Sequence, residues 1–146
     1  MKQVHIWLGV LSMVLVAAAG LWGAWCWRRG RASRLFWHLL RAGQTVIVIE
    51  AAFGGALLIA GKKAPSLHYL YGVLPVLVSF VAEQLRIASA QAVLDARGLE
   101  DAAAVGKLPK DEQQGIVVAI VQREVGVMVL AALVMLVLLW RAAVTG

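Results

Sequence analysis

The chain has a single cysteine, few charged residues and none of the common motifs of hydrolytic enzymes. Because Cys26 has no partner cysteine, the sequence excludes an intrachain disulfide, a cysteine-based metal site and an iron–sulfur cluster. Charged residues make up 15% of the 146 residues, whereas a typical soluble domain has about 25%. This scarcity excludes a disordered chain, a nucleic-acid-binding domain and an ordinary cytosolic enzyme. The sequence also lacks a glycine-rich phosphate loop, a His-Glu-x-x-His sequence and a Ser-His-Asp arrangement.

In place of charge the chain has long apolar segments, since 62% of its residues are hydrophobic. A helix needs about 20 apolar residues to cross roughly 30 Å of hydrocarbon, and irregular backbone cannot face lipid. The pattern predicts four helices over residues of about 4–27, 35–60, 67–97 and 112–143, the last two extending beyond the bilayer. We therefore predict an all-α integral membrane protein, an up-down-up-down four-helix bundle that forms one domain over residues 1–146.

The distribution of basic residues predicts the orientation of this bundle. Ten lysines and arginines flank the first and third connections, and four flank the opposite side. The positive-inside rule places the first and third connections in the cytoplasm and both termini on the extracytoplasmic side. An A-x-A-like sequence at residues 17–19 also fits a cleaved signal peptide, but the apolar run continues to Trp27 and ends in arginines, so we predict that the segment remains. The expected location is the bacterial plasma membrane, with several passes.

Two further patterns predict contacts between these helices. Small-x-x-x-small sequences end at Gly23 and at Gly55, and each predicts a close approach of two helices. Charged residues at 83–86 and at 122–124 lie at a similar depth in the third and fourth helices, so they predict interhelical ion pairs that fix the helix register.

A short repeat links the beginnings of the first and third helices. The sequences HIWLGVL, from His5, and HYLYGVL, from His68, both read H-x-x-x-G-V-L. Each histidine is followed by a glycine one turn deeper on its own face, Gly9 or Gly72. Two inward-facing imidazoles at equal depth would suit haem iron, which takes one axial nitrogen from each side, and the glycines would give the flat ring a bare helix surface. The repeat predicts a bis-histidine haem near the outer face.

The same residues allow a purely structural interpretation, in which two interfacial histidines lie at helix ends and the glycines only let helices approach closely. If haem is bound, Lys62 and Lys63 are candidates to pair with its propionates. Glu50 lies about nine residues below the outer end of the second helix, roughly 13 Å deep at about 1.5 Å per residue. It is either a proton-relay or quinol-binding group, or a protonated carboxyl group hydrogen-bonded to a neighbouring helix.

Three stretches carry a resemblance to known haem proteins: EAAFGGALL at 50–58, GKKAP at 61–65 and LHYLYG at 67–72. Together they resemble the helix–turn–helix of haem-binding four-helix membrane proteins, namely one half of haem A synthase and, more loosely, the cytochrome b561 type. The resemblance implies a four-helix bundle with axial histidines, a b-type haem and redox chemistry in the membrane. The resemblance assigns roles to four residues only: His5 and His68 as axial ligands, with Gly9 and Gly72 beneath the ring.

The chain departs from both families in the number of sites. Haem A synthase is a tandem of two such bundles, and a b561-type protein holds two haems, whereas the cytoplasmic side here offers only His38. One haem b implies electron relay, haem carriage or a structural haem, and the absence of C-x-x-C-H excludes an ordinary covalent c-type site.

Three functions are consistent with these observations. The first is a small membrane b-type cytochrome that relays electrons within, or to, a larger respiratory-type complex, with a quinol and a second copy of the chain as further possible partners. The second is a non-catalytic accessory subunit of a larger membrane complex. The third is a small proton-coupled transporter that uses Glu50. On any of them the lipid bilayer is a partner, and an electron-transfer or redox-associated subunit is favoured over a stand-alone enzyme.

Overall fold

The computed structural model describes residues 2–146 and contains five helices. They are α1 (Lys2–Arg28), α2 (Arg34–Ile59), α3 (Ser66–Asp95), α4 (Ala102–Val105) and α5 (Lys110–Thr145). The described residues contain no strand. All helices but α4 are long and apolar enough to cross a membrane. The prediction of an all-helical protein with four helices long and apolar enough to span a membrane is confirmed, and the chain fits a multi-pass membrane protein in a lipid bilayer.

Three helices end at a glycine for the same physical reason. Gly30, Gly61 and Gly98 have φ angles of 64°, 78° and 66°, a left-handed conformation that glycine adopts without steric cost. At each of these ends the residue after the glycine donates its N–H to a carbonyl five residues earlier. The bonds are Arg31 to Cys26, Lys62 to Leu57 and Leu99 to Leu94, each 3.0 Å long. The glycines therefore fix where α1, α2 and α3 stop.

The helix starts are set by Ser33 and by two prolines. The Ser33 hydroxyl accepts a hydrogen bond from the backbone N–H of Phe36, which caps α2. Pro65 and Pro109 immediately precede α3 and α5. A proline has no N–H to leave unsatisfied and its φ angle is already suitable, so it is well placed at a helix start.

The main core lies in the half of the molecule that contains the end of α1, the start of α2 and the middle of α5. Its large, fully buried side chains come from three helices: Val16, Phe36, Leu40, Ile47, Met128 and Met135. In the other half, none of residues 2–11, 48–59 and 66–74 is buried. We call this second half the histidine end, because His5 and His68 lie there. We call the opposite half the arginine end, because the arginines at the junction of α1 and α2 lie there. The buried residues near the histidines come from the end of α5, namely Leu139 and Ala142, so packing is dense at the arginine end and looser at the histidine end.

Glycines allow the close helix contacts at the arginine end. A methyl group added at Gly23 would lie 2.5 Å from the Phe36 ring and 2.8 Å from Val129, so three helices meet there. The small-residue pattern ending at Gly23 is thus at a close contact. A methyl group added at Gly55 would have no neighbour within 4 Å, so the second pattern does not mark a helix contact within the described residues.

Charged side chains join three helices near the arginine end. Arg86 on α3 contacts Glu83 on its own helix at 3.1 Å and Glu124 on α5 at 3.0 Å. Arg41 on α2 is paired with the same Glu83, and the Trp37 ring lies 5.8 Å from the Arg41 guanidinium and 5.6 Å from that of Arg86. Pairing between α3 and α5 is as the sequence predicts, whereas the participation of Arg41 and α2 is new.

Beyond the membrane-length part, α3 and α5 extend into a small helical hairpin with α4. A second apolar cluster holds it together, formed by Val93, Leu94, Val105 and Ile116. The Asp101 side chain caps α4 by accepting a hydrogen bond of 2.8 Å from the backbone N–H of Ala104. The third connection is therefore folded rather than a loose loop.

Candidate functional site

The histidines of the repeat are neighbours at one end of the molecule. His5 is in the first turns of α1 and His68 is in the first turn of α3. Their ring centroids are 5.9 Å apart and their planes are nearly perpendicular, at 82°. The two side chains with the same position in the repeat are thus neighbours across the molecule, although they are 63 residues apart in the chain.

His68 is oriented by the end of α5. Its Nδ1 lies 2.9 Å from the backbone carbonyl oxygen of Ala142. Because a carbonyl oxygen only accepts, Nδ1 carries the hydrogen and donates it, which leaves the lone pair on Nε2. Gly146 also lies against this ring, since a methyl group added there would be 2.5 Å from Nδ1. A fixed Nδ1–H donor with a free Nε2 is the usual arrangement of a metal-binding imidazole.

His5 has the opposite character. Its Nδ1 is buried and has no hydrogen-bond partner, which is uncommon for a buried polar atom. Gly54 on α2 lies beside the same ring, because a methyl group added at Gly54 would be 3.5 Å from the His5 Cε1. The imidazole of His5 is therefore held among helices with an unsatisfied nitrogen.

A carboxyl–hydroxyl pair lies deeper along α1 and α2. The Ser12 hydroxyl is fully buried and lies 2.8 Å from the Gly9 carbonyl oxygen and 2.9 Å from Oε2 of Glu50. One hydroxyl proton can be donated to only one of these oxygens. The Ser12 hydroxyl therefore donates to either the Gly9 carbonyl or the Glu50 carboxyl oxygen, and it links α1 to α2 when it donates to Glu50. The geometry suits the interpretation of Glu50 as a carboxyl group hydrogen-bonded to a neighbouring helix.

The glycines of the repeat differ in their surroundings. A methyl group added at Gly9 would lie 2.7 Å from Oε1 of Glu50, so the carboxyl group fills the space that the sequence predicts to be bare. A methyl group added at Gly72 would meet nothing within 4 Å. Of the two, only Gly72 presents the open surface that a flat ring needs.

The basic residues predicted to bind propionates lie at the same end without forming a site of their own. Lys62 and Lys63 are exposed in the turn between α2 and α3, and neither forms an ion pair within the described residues. The Tyr69 hydroxyl fixes this turn by accepting a hydrogen bond of 2.7 Å from the backbone N–H of Ala64.

Sequence reasoning missed two groups of the site, Ser12 and the Ala142 carbonyl. Ser12 is three residues after Gly9, on the same face of α1, so helical spacing could have found it. The Ala142 carbonyl is a backbone group of α5, and no side-chain pattern points to it.

No family model, no curated protein and no solved structure matches this chain. The likeness to haem A synthase and cytochrome b561 therefore rests on the residues quoted above alone.

Proposed function

We propose that this protein is a small membrane b-type cytochrome with one haem b held between His5 and His68. The proposal depends on one observation, the 5.9 Å separation of the two imidazole rings. A metal–imidazole nitrogen bond is about 2.0 Å long, so two imidazole centroids on opposite sides of one metal ion lie roughly 6 Å apart. The imidazole pair thus has the spacing that a shared iron needs.

The number of ligands available favours a haem over a bare metal ion. Residues 2–146 contain no group of three or more His, Cys, Asp or Glu side chains suited to one metal ion. A protein zinc site takes three or four such ligands, whereas haem iron brings four ring nitrogens and needs only axial ligands from the protein. Two neighbouring histidines are therefore enough ligands for haem iron but too few for a zinc ion.

The loose packing of the histidine end supports the same proposal. No residue of 2–11, 48–59 or 66–74 is buried, and the surface beside Gly72 is open. A flat cofactor could cover apolar surface there that the protein leaves uncovered. The exposed Lys62 and Lys63 are at this end and would neutralise the propionates.

The residues around the histidines have defined tasks in this proposal. The Ala142 carbonyl would hold His68 in the tautomer that leaves Nε2 free, and the Ser12 hydroxyl would orient the Glu50 carboxyl group beside Gly9. Bound haem supplies one-electron chemistry. The protein would relay electrons within, or to, a larger respiratory-type membrane complex, with a quinol as a further donor or acceptor. It would be an up-down-up-down bundle in the bacterial plasma membrane, with both termini on the extracytoplasmic side.

An absorption spectrum of the purified protein tests this directly. Detergent-solubilised protein, supplied with haemin and reduced with dithionite, should show the split bands of six-coordinate low-spin haem. His5→Ala and His68→Ala should each lose this spectrum. His38→Ala is the matched control. His38 lies near the start of α2, far along the helix from the histidine end, so its replacement should leave the spectrum unchanged.

A variant at Gly72 separates haem binding from folding. Gly72→Ala should leave the haem-free protein as stable as the wild type, because nothing lies within 4 Å, yet it should weaken haem retention by crowding the ring. The proposal fails if His5→Ala and His68→Ala keep an unchanged haem spectrum, or if folded wild-type protein takes up no haem. A colourless protein that co-purifies with a larger complex would instead support the accessory-subunit interpretation.

A further inference from the structure

The segment that joins α1 and α2 carries concentrated, uncompensated positive charge. Four arginines lie within seven residues, at positions 28, 29, 31 and 34, and the first acidic residue of the whole chain is Glu50. Within residues 2–146 the ion pairs involve only Arg41 and Arg86 as cations. These four guanidinium groups therefore have no carboxylate partner in the described part of the chain.

Two of these arginines line a cleft with an aromatic wall. This cleft is a shallow, open depression at the end of α1, lined by Ala24, Trp25, Arg28 and Arg29. The Arg29 guanidinium lies 5.4 Å from the centre of the Trp25 ring, within the range of a cation–π contact. Both cations thus lie at one small depression rather than being spread over the surface.

The aromatic wall is fixed in place. The Trp22 and Trp25 rings are stacked with centroids 5.1 Å apart. The indole N–H of Trp22 in turn donates a hydrogen bond of 2.8 Å to the Ser33 hydroxyl, and Ser33 caps α2. Trp25 therefore stacks on a ring that is itself hydrogen-bonded to the residue capping the next helix.

The position of the cleft along α1 is that of lipid headgroups. The 27 residues of α1 span about 40 Å at about 1.5 Å per residue, which exceeds the roughly 30 Å of the hydrocarbon core. The last turn, with Arg28 and Arg29, then lies among the headgroups, where tryptophan is also favoured. Leu21, four residues before Trp25, is on the same helix face and is 72% exposed, so the apolar surface continues from the cleft toward the hydrocarbon.

We propose that this cleft binds the phosphate of an anionic phospholipid, with one acyl chain lying along the Leu21 and Trp25 face of α1. Two guanidinium groups can donate several charge-assisted hydrogen bonds to one phosphate. A free phosphate would occupy the arginines but leave the aromatic and aliphatic surface beside them uncovered. The continuous basic, aromatic and aliphatic surface on one helix face favours a lipid, which has all three matching parts.

The retention of lipid by the purified protein tests this proposal. Protein from nanodiscs of phosphatidylcholine, with or without phosphatidylglycerol, is transferred to mild detergent and examined by native mass spectrometry. The wild type should retain phosphatidylglycerol in preference to phosphatidylcholine. Arg28→Gln/Arg29→Gln should reduce that retention several-fold. The matched control, Arg97→Gln/Lys107→Gln, removes two exposed cations of the α3–α5 connection and should have no effect.

Further variants keep the test decisive. Trp25→Ala keeps all charges but removes the wall, and it should also lower retention; it replaces the arginine variant if that protein fails to fold. Inorganic phosphate, added as a competitor at millimolar concentration, should not displace the lipid. The proposal is overturned if the arginine and control variants retain lipid equally, if phosphatidylcholine is retained as well as phosphatidylglycerol, or if inorganic phosphate displaces it completely. None of these results depends on haem.

Discussion

The contact at Gly23 gives the most quantitative prediction for the fold. A methyl group in Gly23→Ala would lie 2.5 Å from two ring carbons of Phe36 and 2.8 Å from a methyl carbon of Val129. Nonbonded carbon atoms prefer about 3.5–4.0 Å, so the overlap is roughly 1 Å. Phe36 and Val129 are almost completely buried, at 0% and 1% exposure, so neither can move without displacing other core residues.

The expected cost follows from overpacking alone. An extra methyl group in a dense core costs about 1–3 kcal/mol, which is roughly a 5- to 150-fold change in the unfolding equilibrium. Helix propensity contributes little, since the helices of a membrane protein remain hydrogen-bonded when they separate in lipid or detergent. Gly23→Ala should therefore be destabilising, although alanine is a better helix former than glycine in water.

Unfolding in mixed detergent micelles with increasing dodecyl sulfate measures this cost. Gly55→Ala is the matched control, because it makes the same change in a membrane-length helix with no neighbour within 4 Å, and it should leave the midpoint within experimental error of the wild type. The reasoning would be refuted if both variants unfolded at the same dodecyl sulfate concentration, or if Gly23→Ala were the more stable of the two.

Two further predictions concern polar contacts. Glu83→Gln should lower stability by about 1–2 kcal/mol, since it weakens pairs that are partly exposed. A double-mutant cycle with Arg41→Gln in the same micelle assay should show coupling, and strictly additive effects would contradict the ion pair. Asp101→Ala should remove the cap of α4, at a cost of about 1 kcal/mol, and speed amide hydrogen exchange at Ala104 and Gly106 roughly fivefold. Asp101→Asn keeps the acceptor and is the control; equal exchange in all three proteins would show that the cap does not hold α4.

The sequence predicts the helices well because their cause is local. A run of about 20 apolar residues and a glycine or proline at its end suffice to define a span. Contacts between helices are less predictable, as the small-residue patterns show. The patterns ending at Gly23 and Gly55 have the same spacing, yet only Gly23 touches another helix. Spacing describes one face of one helix, and the identity of the neighbour depends on how the whole chain packs.

The candidate site shows the same division. The repeat marks His5 and His68 because equal positions in two helices are readable from the chain. The neighbours of these residues are not readable in this way: Glu50 fills the space at Gly9, and the partner of His68 is a backbone carbonyl of α5. Likewise, Arg41 on α2 pairs with Glu83 on α3, and no acidic residue of its own helix contacts it.

The position of Pro75 accounts for part of the contrast between the two halves of the molecule. Pro75 is the first buried residue of α3 and cannot donate a hydrogen bond to the carbonyl of Tyr71, one turn earlier. The turns before it, which carry His68, are therefore tied less strongly to the rest of the helix. Their orientation depends more on contacts such as the bond from His68 to Ala142. A dense core holds the arginine end, whereas the turns of α3 before Pro75 are positioned more by individual contacts, of which the one between the His68 ring and the backbone of α5 is the clearest.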